Sequence, residues 1–370
     1  MGKPRQHYVP QFYLRNFALT GKPNHIAQFD ITSDRYVSST AINTQASAKD
    51  FYANEQIEKA LSVIEGFGAS VIRMCIGKSL PKYNSEEHHA LLTLVLSQLS
   101  RTGAAAEELN QMISITMSAL LSKSPVPPES IDLAKFEINE APSRSLAAAL
   151  QGIHWIYDLR YKVIQNTTSI PFVTSDHPVI LHNLFLERIA PFVGVTGLGT
   201  KGLTIFLPLS PEFLMVFFDH EVYKVGSRRP GPSIVKNSNI KDIRALNLLQ
   251  ALNCQRFLFC NEKMQLSELK RMRTRRSRSL LEKRVHGGEF VSESEQDNSL
   301  LAIHKNALLI RFRNSKISVH PHLPSPKAEG ALETPMRDPK LAELDLQFSE
   351  KVRAEQNKSL ADHFSDSQEG

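Results

Sequence analysis

Near residue 158 the hydrophobic pattern of this chain changes period, and that change constrains its fold more than any other feature. Before it, apolar residues recur at helical spacing. Ile57, Leu61, Ile64, Val71, Ile72 and Cys75 trace one stripe, which predicts a helix over 54–76. A second helix is expected over 85–101, with Ser85 as its cap and Glu86 and Glu87 in the first turn, where the dipole favours them. Its middle, Ala90 to Leu96, is almost wholly apolar, which places it centrally. Ile57, Leu61 and Ile64 are expected to face its Leu91, Leu94 and Val95. Helices over 104–122 and 143–157 follow, separated by a linker containing Pro125, Pro127 and Pro128.

After residue 158 the apolar runs shorten. Ile170 to Leu181, Leu203 to Leu209, Glu212 to Phe218 and Gln255 to Cys260 read as strands, with one helix at 239–252. Helices in one block and strands in the next imply an α+β fold, a helical block on a mostly antiparallel sheet. The expected core is residues 1–262, with the helical block at about 54–157 and the sheet block at about 160–262. In front of them, Pro10 opens a short helix carrying Tyr13, Leu14 and Phe17, and Ile26 to Ile31 with Asp34-Arg35 reads as a hairpin. Residues 263–370 read as an appended, partly disordered tail. It holds a basic segment, a weak hairpin around Asn314-Ser315, a proline-rich stretch at Pro321–Pro326, and a helix from Pro339 carrying Leu341, Leu344, Phe348 and Val352.

At 41% apolar and 22% charged, the 370 residues have enough apolar material for a core. No apolar run reaches the roughly 18 residues of a membrane span. The first residues lack an apolar segment and do not read as a secretory signal, and Gln6 stands where a myristoylation motif needs Ser or Thr. Cys75, Cys254 and Cys260 form no disulfide framework. The last two fall in one expected strand, roughly 20 Å apart. Reduced thiols suit a cytoplasmic protein, and the lack of a Cys-x-x-Cys pair excludes zinc ribbons. Residues 270–284 carry eight Lys or Arg against one acid. Their +7 exceeds the whole chain's +6, so the rest of the chain is essentially neutral.

Few motifs carry chemistry. Gly197 to Gly202 matches G-x-G-x-x-G, but a strand follows it where a dinucleotide site needs a helix. Ser175-Asp176-His177 cannot be a triad, because consecutive residues of an extended chain point to alternate faces. Asp176, at a strand end, suits either catalysis or turn formation. Glu58 and Glu65 share one helix face at the border of the apolar stripe, placed to lean into a cleft or to face solvent. His7, Arg15 and Arg101 are polar residues in apolar surroundings, and Arg101 ends a helix whose preceding 11 residues carry no charge. His88-His89 and His320-Pro-His322 have no metal-type partners nearby and read as surface residues.

The string His7-Tyr-Val-Pro-x-x-Tyr13-Leu-Arg-Asn-Phe17 resembles the opening hallmark of domain-of-unknown-function family 4238. Lys49-Asp50-Phe51-Tyr52, Ile57-Glu58-Lys59, Ile64-Glu65 and Arg101 follow in that family's order. So do Phe172-Val-Thr-Ser175-Asp176-His177-Pro178, Leu207-Pro208-Leu209-Ser210-Pro211 and Asn247. The resemblance spans about residues 5–262. It implies that His7, Arg15, Asp50, Glu58, Glu65, Arg101, Ser175, Asp176 and Asn247 form one polar cluster, without implying a mechanism.

Two functions are expected of such a cluster. One is a metal-dependent hydrolase, a nuclease-like phosphodiesterase acting on nucleic acid or nucleotides. Asp50, Glu58, Glu65 and Asp176 would hold a divalent cation, Mg or Mn. His7 would act as general base or as a ligand to the cation, and Arg15 and Arg101 would clamp phosphate. Arg273, Arg275, Arg276 and Arg278 would add affinity for nucleic acid. The other is a non-catalytic binding or sensor protein, for example in antiviral defence, whose polar cluster is a salt-bridge network orienting the helices on the sheet.

Overall fold

The computed structural model describes residues 5–52, 55–122, 141–186, 196–227, 231–279, 285–290, 300–305, 312–321, 323, 336–341, 343 and 347. The chain runs β1 (Arg5–His7), α1 (Gln11–Arg15), β2 (His25–Asp30), β3 (Arg35–Ala41), β4 (Ser47–Lys49), α2 (Glu55–Ile76), α3 (Glu86–Ser100), α4 (Gly103–Ser122) and α5 (Ala141–Gln151). It continues through β5 (Arg160–Asn166), β6 (Thr174–Ser175), β7 (Ile180–His182), β8 (Thr204–Pro208), β9 (Phe213–Phe218), β10 (Tyr223–Val225) and β11 (Ile234–Asn237). Last come α6 (Ile240–Asn253), β12 (Phe257–Cys260), α7 (Leu266–Ser279), β13 (Val285–Phe290), β14 (Leu300–Lys305) and β15 (Ile317–Val319). This is the α+β class.

Two sheets organise the body. One has the order β11-β5-β9-β8-β7, antiparallel except for the β11–β5 pair. The other, β3-β2-β12-β6, is antiparallel throughout. Central strand β9 is apolar and buried at every position because both faces of its sheet are covered. Leu214, Val216 and Phe218 face the core shared with β2, β12 and α6. Phe213, Met215 and Phe217 face α2, α3 and the N-terminal segment.

The helical block is placed by α3. Ser85 caps it, accepting the His88 amide at 3.3 Å, and Leu91, Leu92, Leu94, Val95 and Leu96 are all buried. α2 packs on it so closely that a Cβ on Gly68 would sit 2.7 Å from a Leu94 methyl. The α2 stripe divides, however. Ile64, Val71, Ile72 and Cys75 join Leu91, Leu94 and Val95, whereas Ile57 and Leu61 pack with Tyr52 and with Leu146 and Leu150 of α5.

Other expectations are corrected. Ile170 to Leu181 is not one strand: β6 and β7 are short, and His177-Pro178 lies between them. β5, β10 and β11 were not foreseen. Cys254 caps the end of α6 and does not lie in β12. Packing also continues past residue 262. Leu269 and Met272 of α7, with Phe312 and Ile317, belong to the core, β15 pairs with β10, and Arg337 binds the Asp158 carboxylate. The proline linker at 125–128, Arg284, Pro324 to Pro326 and most of the helix expected from Pro339 lie outside the described residues.

Candidate functional site

The hallmark segment is held by pairing and by side chains. β1 pairs with β4, His7 opposite Ser47 and Gln6 opposite Ala48, and the Gln6 side chain accepts the Tyr52 amide at 2.7 Å. Gln98 of α3 donates to the Tyr8 carbonyl at 3.0 Å. Tyr13, buried on α1, reaches two other hallmark elements at once. Its hydroxyl donates to the Pro208 carbonyl at 2.6 Å and lies 2.8 Å from the Thr174 hydroxyl. Asn247 holds the same strand region from α6, accepting the Val173 amide and donating to the Pro171 carbonyl.

Arg101, where α3 ends, is the centre of the cluster and is 2% exposed. Nη1 meets Glu65 Oε1 at 2.7 Å, Nη2 donates to the His7 carbonyl at 2.6 Å, and Nε donates to the Tyr52 hydroxyl at 3.0 Å. Burial works against its charge, but the Tyr52 hydroxyl and the Glu65 carboxylate outweigh that, so its pKa is raised. The next residue, Thr102, caps α4 by accepting the Ala105 amide. Its hydroxyl lies 2.6 Å from His177 Nδ1. The polar chain thus continues from His7 through Arg101 and Thr102 to His177, beside Asp176.

Asp176 is 3% exposed. One carboxylate oxygen accepts the Gln255 amide and the other accepts those of Arg256 and Phe257, all at 2.8 Å. Burial raises its pKa against the opposing pull of these three amides. The carboxylate therefore caps the turn from α6 into β12, a structural task that uses both oxygens. Ser175 accepts from Gln250 and caps the His177 amide in the same corner.

The remaining expected residues are scattered around this centre. His7 is half-buried. Its Nε2 donates to the Asn43 carbonyl at 3.2 Å, which leaves the neutral ring's lone pair on Nδ1. Burial lowers its pKa, with the Asn43 bond and Glu65 opposing and Arg5 and Arg101 assisting. Glu58 is exposed on α2, its charge felt at Tyr52. Asp50 lies between β4 and α2 at φ +52°. Arg15 is exposed and engaged by Gln11 and Asn24.

Among the described residues no three His, Cys, Asp or Glu side chains are grouped so that they could hold a metal ion. The ligand set expected of Asp50, Glu58, Glu65 and Asp176 is not assembled. Arg101 faces inward and does not form the expected phosphate clamp. His88, expected at the surface, is buried against Tyr161. Of the four arginines expected to bind nucleic acid, two are turned into the protein. Arg273 donates to the Ile31 carbonyl at 2.9 Å, and Arg276 to the Ala251 and Cys254 carbonyls at 2.7 Å. Arg275 and Arg278 line a cavity between α6 and α7. Sequence reasoning missed Tyr52, Thr102 and Gln98 as partners, although Thr102 before Gly103 carries the signal of a helix cap.

The architecture is thus an α+β core in which His7, Glu65, Arg101, Ser175 and Asp176 lie along one polar chain at the junction of helices and sheets, while Arg15, Asp50 and Glu58 stand outside it. The chain belongs to the family described as protein of unknown function (DUF4238), whose model matches residues 5–264. Nothing among the curated proteins or the solved structures matches it. Among the described residues, no helix is long and apolar enough to cross a membrane.

Proposed function

We propose that this protein is a non-catalytic binding protein whose hallmark polar residues are a scaffold. One observation carries this reading: Arg101 and Asp176, the groups a phosphodiesterase would turn toward substrate, direct their hydrogen bonds into the chain itself. Buried polar groups so satisfied fix one arrangement of α2, α3, α4 and β12 around the hallmark segment. The test incubates the full chain with DNA, RNA and nucleotides in Mg2+ or Mn2+. The expected result is no product, together with lowered thermal stability in Arg101→Ala and Asp176→Ala. Turnover lost in His7→Gln at unchanged melting temperature would overturn it.

A second reading, an acid–base hydrolase, is favoured by His7. Its Nδ1 lone pair belongs to a ring held neutral close to the Glu65 carboxylate, the state required of a general base. In that reading His7 takes a proton from the attacking water and returns it to the leaving group, and Arg101 holds the Glu65 carboxylate near the imidazolium formed in between.

A further inference from the structure

We infer that the groove between α6 and α7 binds a nucleotide: a small molecule joining a flat, partly apolar ring to a chain of phosphates. This rests on the binding reading above and supplies its ligand, but it stands on another part of the molecule. The cavity has a volume of about 630 Å³, within the range of small-molecule sites. On α7, Arg271, Arg275 and Arg278 recur at i, i+4 and i+7, and so share one helix face. Across the groove, α6 contributes Lys241 and Arg244.

Among the described lining residues, these five cations surround one carboxylate, Glu268, which is already engaged. Arg244 grips both its oxygens at 2.5–3.2 Å, and Arg271 stands 3.7 Å away. Among the described residues the lining is net cationic, and that charge gathers around a concavity, not along an open helix face. Like charges held together in this way favour an anion between them. Guanidinium forks match phosphate oxygens two at a time.

The floor selects the rest of the ligand. Leu248, Met272 and Phe312 are buried there, and the Phe312 ring packs on Phe206 and His182. An apolar floor beneath a cationic rim fits a heteroaromatic base below and phosphates above. Asn247 lines the groove, but its amide is directed to Val173 and Pro171. The opposite face of α7 shows how the same helix uses arginine structurally: Arg273 and Arg276 reach backbone carbonyls. A concave site of this size distinguishes a nucleotide pocket from a track for nucleic acid, which needs an extended basic path.

The test is calorimetric titration of the full chain at 150 mM salt with ATP, inorganic tripolyphosphate, adenosine and a single-stranded oligodeoxynucleotide. ATP is expected to bind one per chain. Tripolyphosphate should bind at least tenfold more weakly, and adenosine more weakly still. Arg275→Glu combined with Arg278→Glu should weaken ATP at least tenfold at unchanged circular dichroism, because both side chains are exposed. Unchanged ATP affinity in that variant overturns the site. Equal binding of tripolyphosphate and ATP overturns the nucleotide assignment, and oligonucleotide binding tighter than ATP replaces it with a nucleic-acid surface. ATP recovered as ADP, in a manner the double variant abolishes, upholds the pocket while removing the non-catalytic reading. ATP neither bound nor cleaved removes the pocket alone.

Discussion

Arg101→Ala is a substitution the structure makes costly. It deletes donors to Glu65, Tyr52 and the His7 carbonyl from a site that is 2% exposed. Hydrogen bonds to a charged group are worth about 1.5–3 kcal/mol each, but they are not additive. Breaking a buried ion pair from one side costs about 3–5 kcal/mol. The Glu65 side chain is 27% exposed and rehydrates in part, so the lower half of that range is expected, about 3–4 kcal/mol. Glu65→Gln keeps an acceptor for Nη1 and should cost about 1–2 kcal/mol. Because the two residues share one contact, the double variant should fall short of the sum by at least about 1 kcal/mol. Urea unfolding followed by far-ultraviolet circular dichroism measures all four proteins. An Arg101→Ala midpoint matching wild type, or strict additivity in the cycle, refutes the reasoning.

Three further outcomes are expected. His88 and His182 are buried and burial lowers each to about 4, so both fold as neutral rings. Their stabilisation is present above the unfolded value near 6.5 and is lost as pH falls toward 4. The loss is up to on the order of 3 kcal/mol per ring, and His182→Leu should flatten part of that acid limb in melting temperatures from pH 7 to 4. Truncation after Asn261 removes Leu269 and Met272 from the core and strips donors from the Ile31 and Ala251 carbonyls. The shortened chain should therefore lose its cooperative melting transition, and Leu269→Ala in the full chain should cost about 2–5 kcal/mol by urea unfolding. Tyr13→Phe leaves the Pro208 carbonyl without its donor inside the protein and should cost about 1–3 kcal/mol in the same assay.

The class of fold was legible because α3 and β9 announce themselves locally. The cap at Ser85, the apolar run after it and the unbroken apolar β9 each depend on neighbours in sequence. β5 was not legible because Lys162 interrupts it. That lysine is buried in the strand, and its ammonium donates to the Val225 and Ser227 carbonyls, more than 60 residues away. A buried lysine reads as a loop until its distant acceptors are known. The cluster was partly legible for the same reason. A carboxylate at the border of the α2 stripe and an arginine after an uncharged run marked Glu65 and Arg101 as unusual, but not as partners. Asp176 was marked by its place at a strand end, while its three amides lie 79 to 81 residues further on. In α7 the charge count concealed a helical stripe. Leu269, Met272, Arg273 and Arg276 face inward, and only the other arginines form the cationic wall.

A crystal structure of the full chain grown with a non-hydrolysable ATP analogue tests the account most directly, because it locates ligand and network together. The expected result is an analogue in the α6–α7 groove, its phosphates between Arg275 and Arg278, with the Arg101–Glu65 pair and the three amide bonds to Asp176 intact. Phosphate density beside His7 and Glu65, with Arg101 turned out to meet it, would contradict both the binding site and the scaffold role of the cluster.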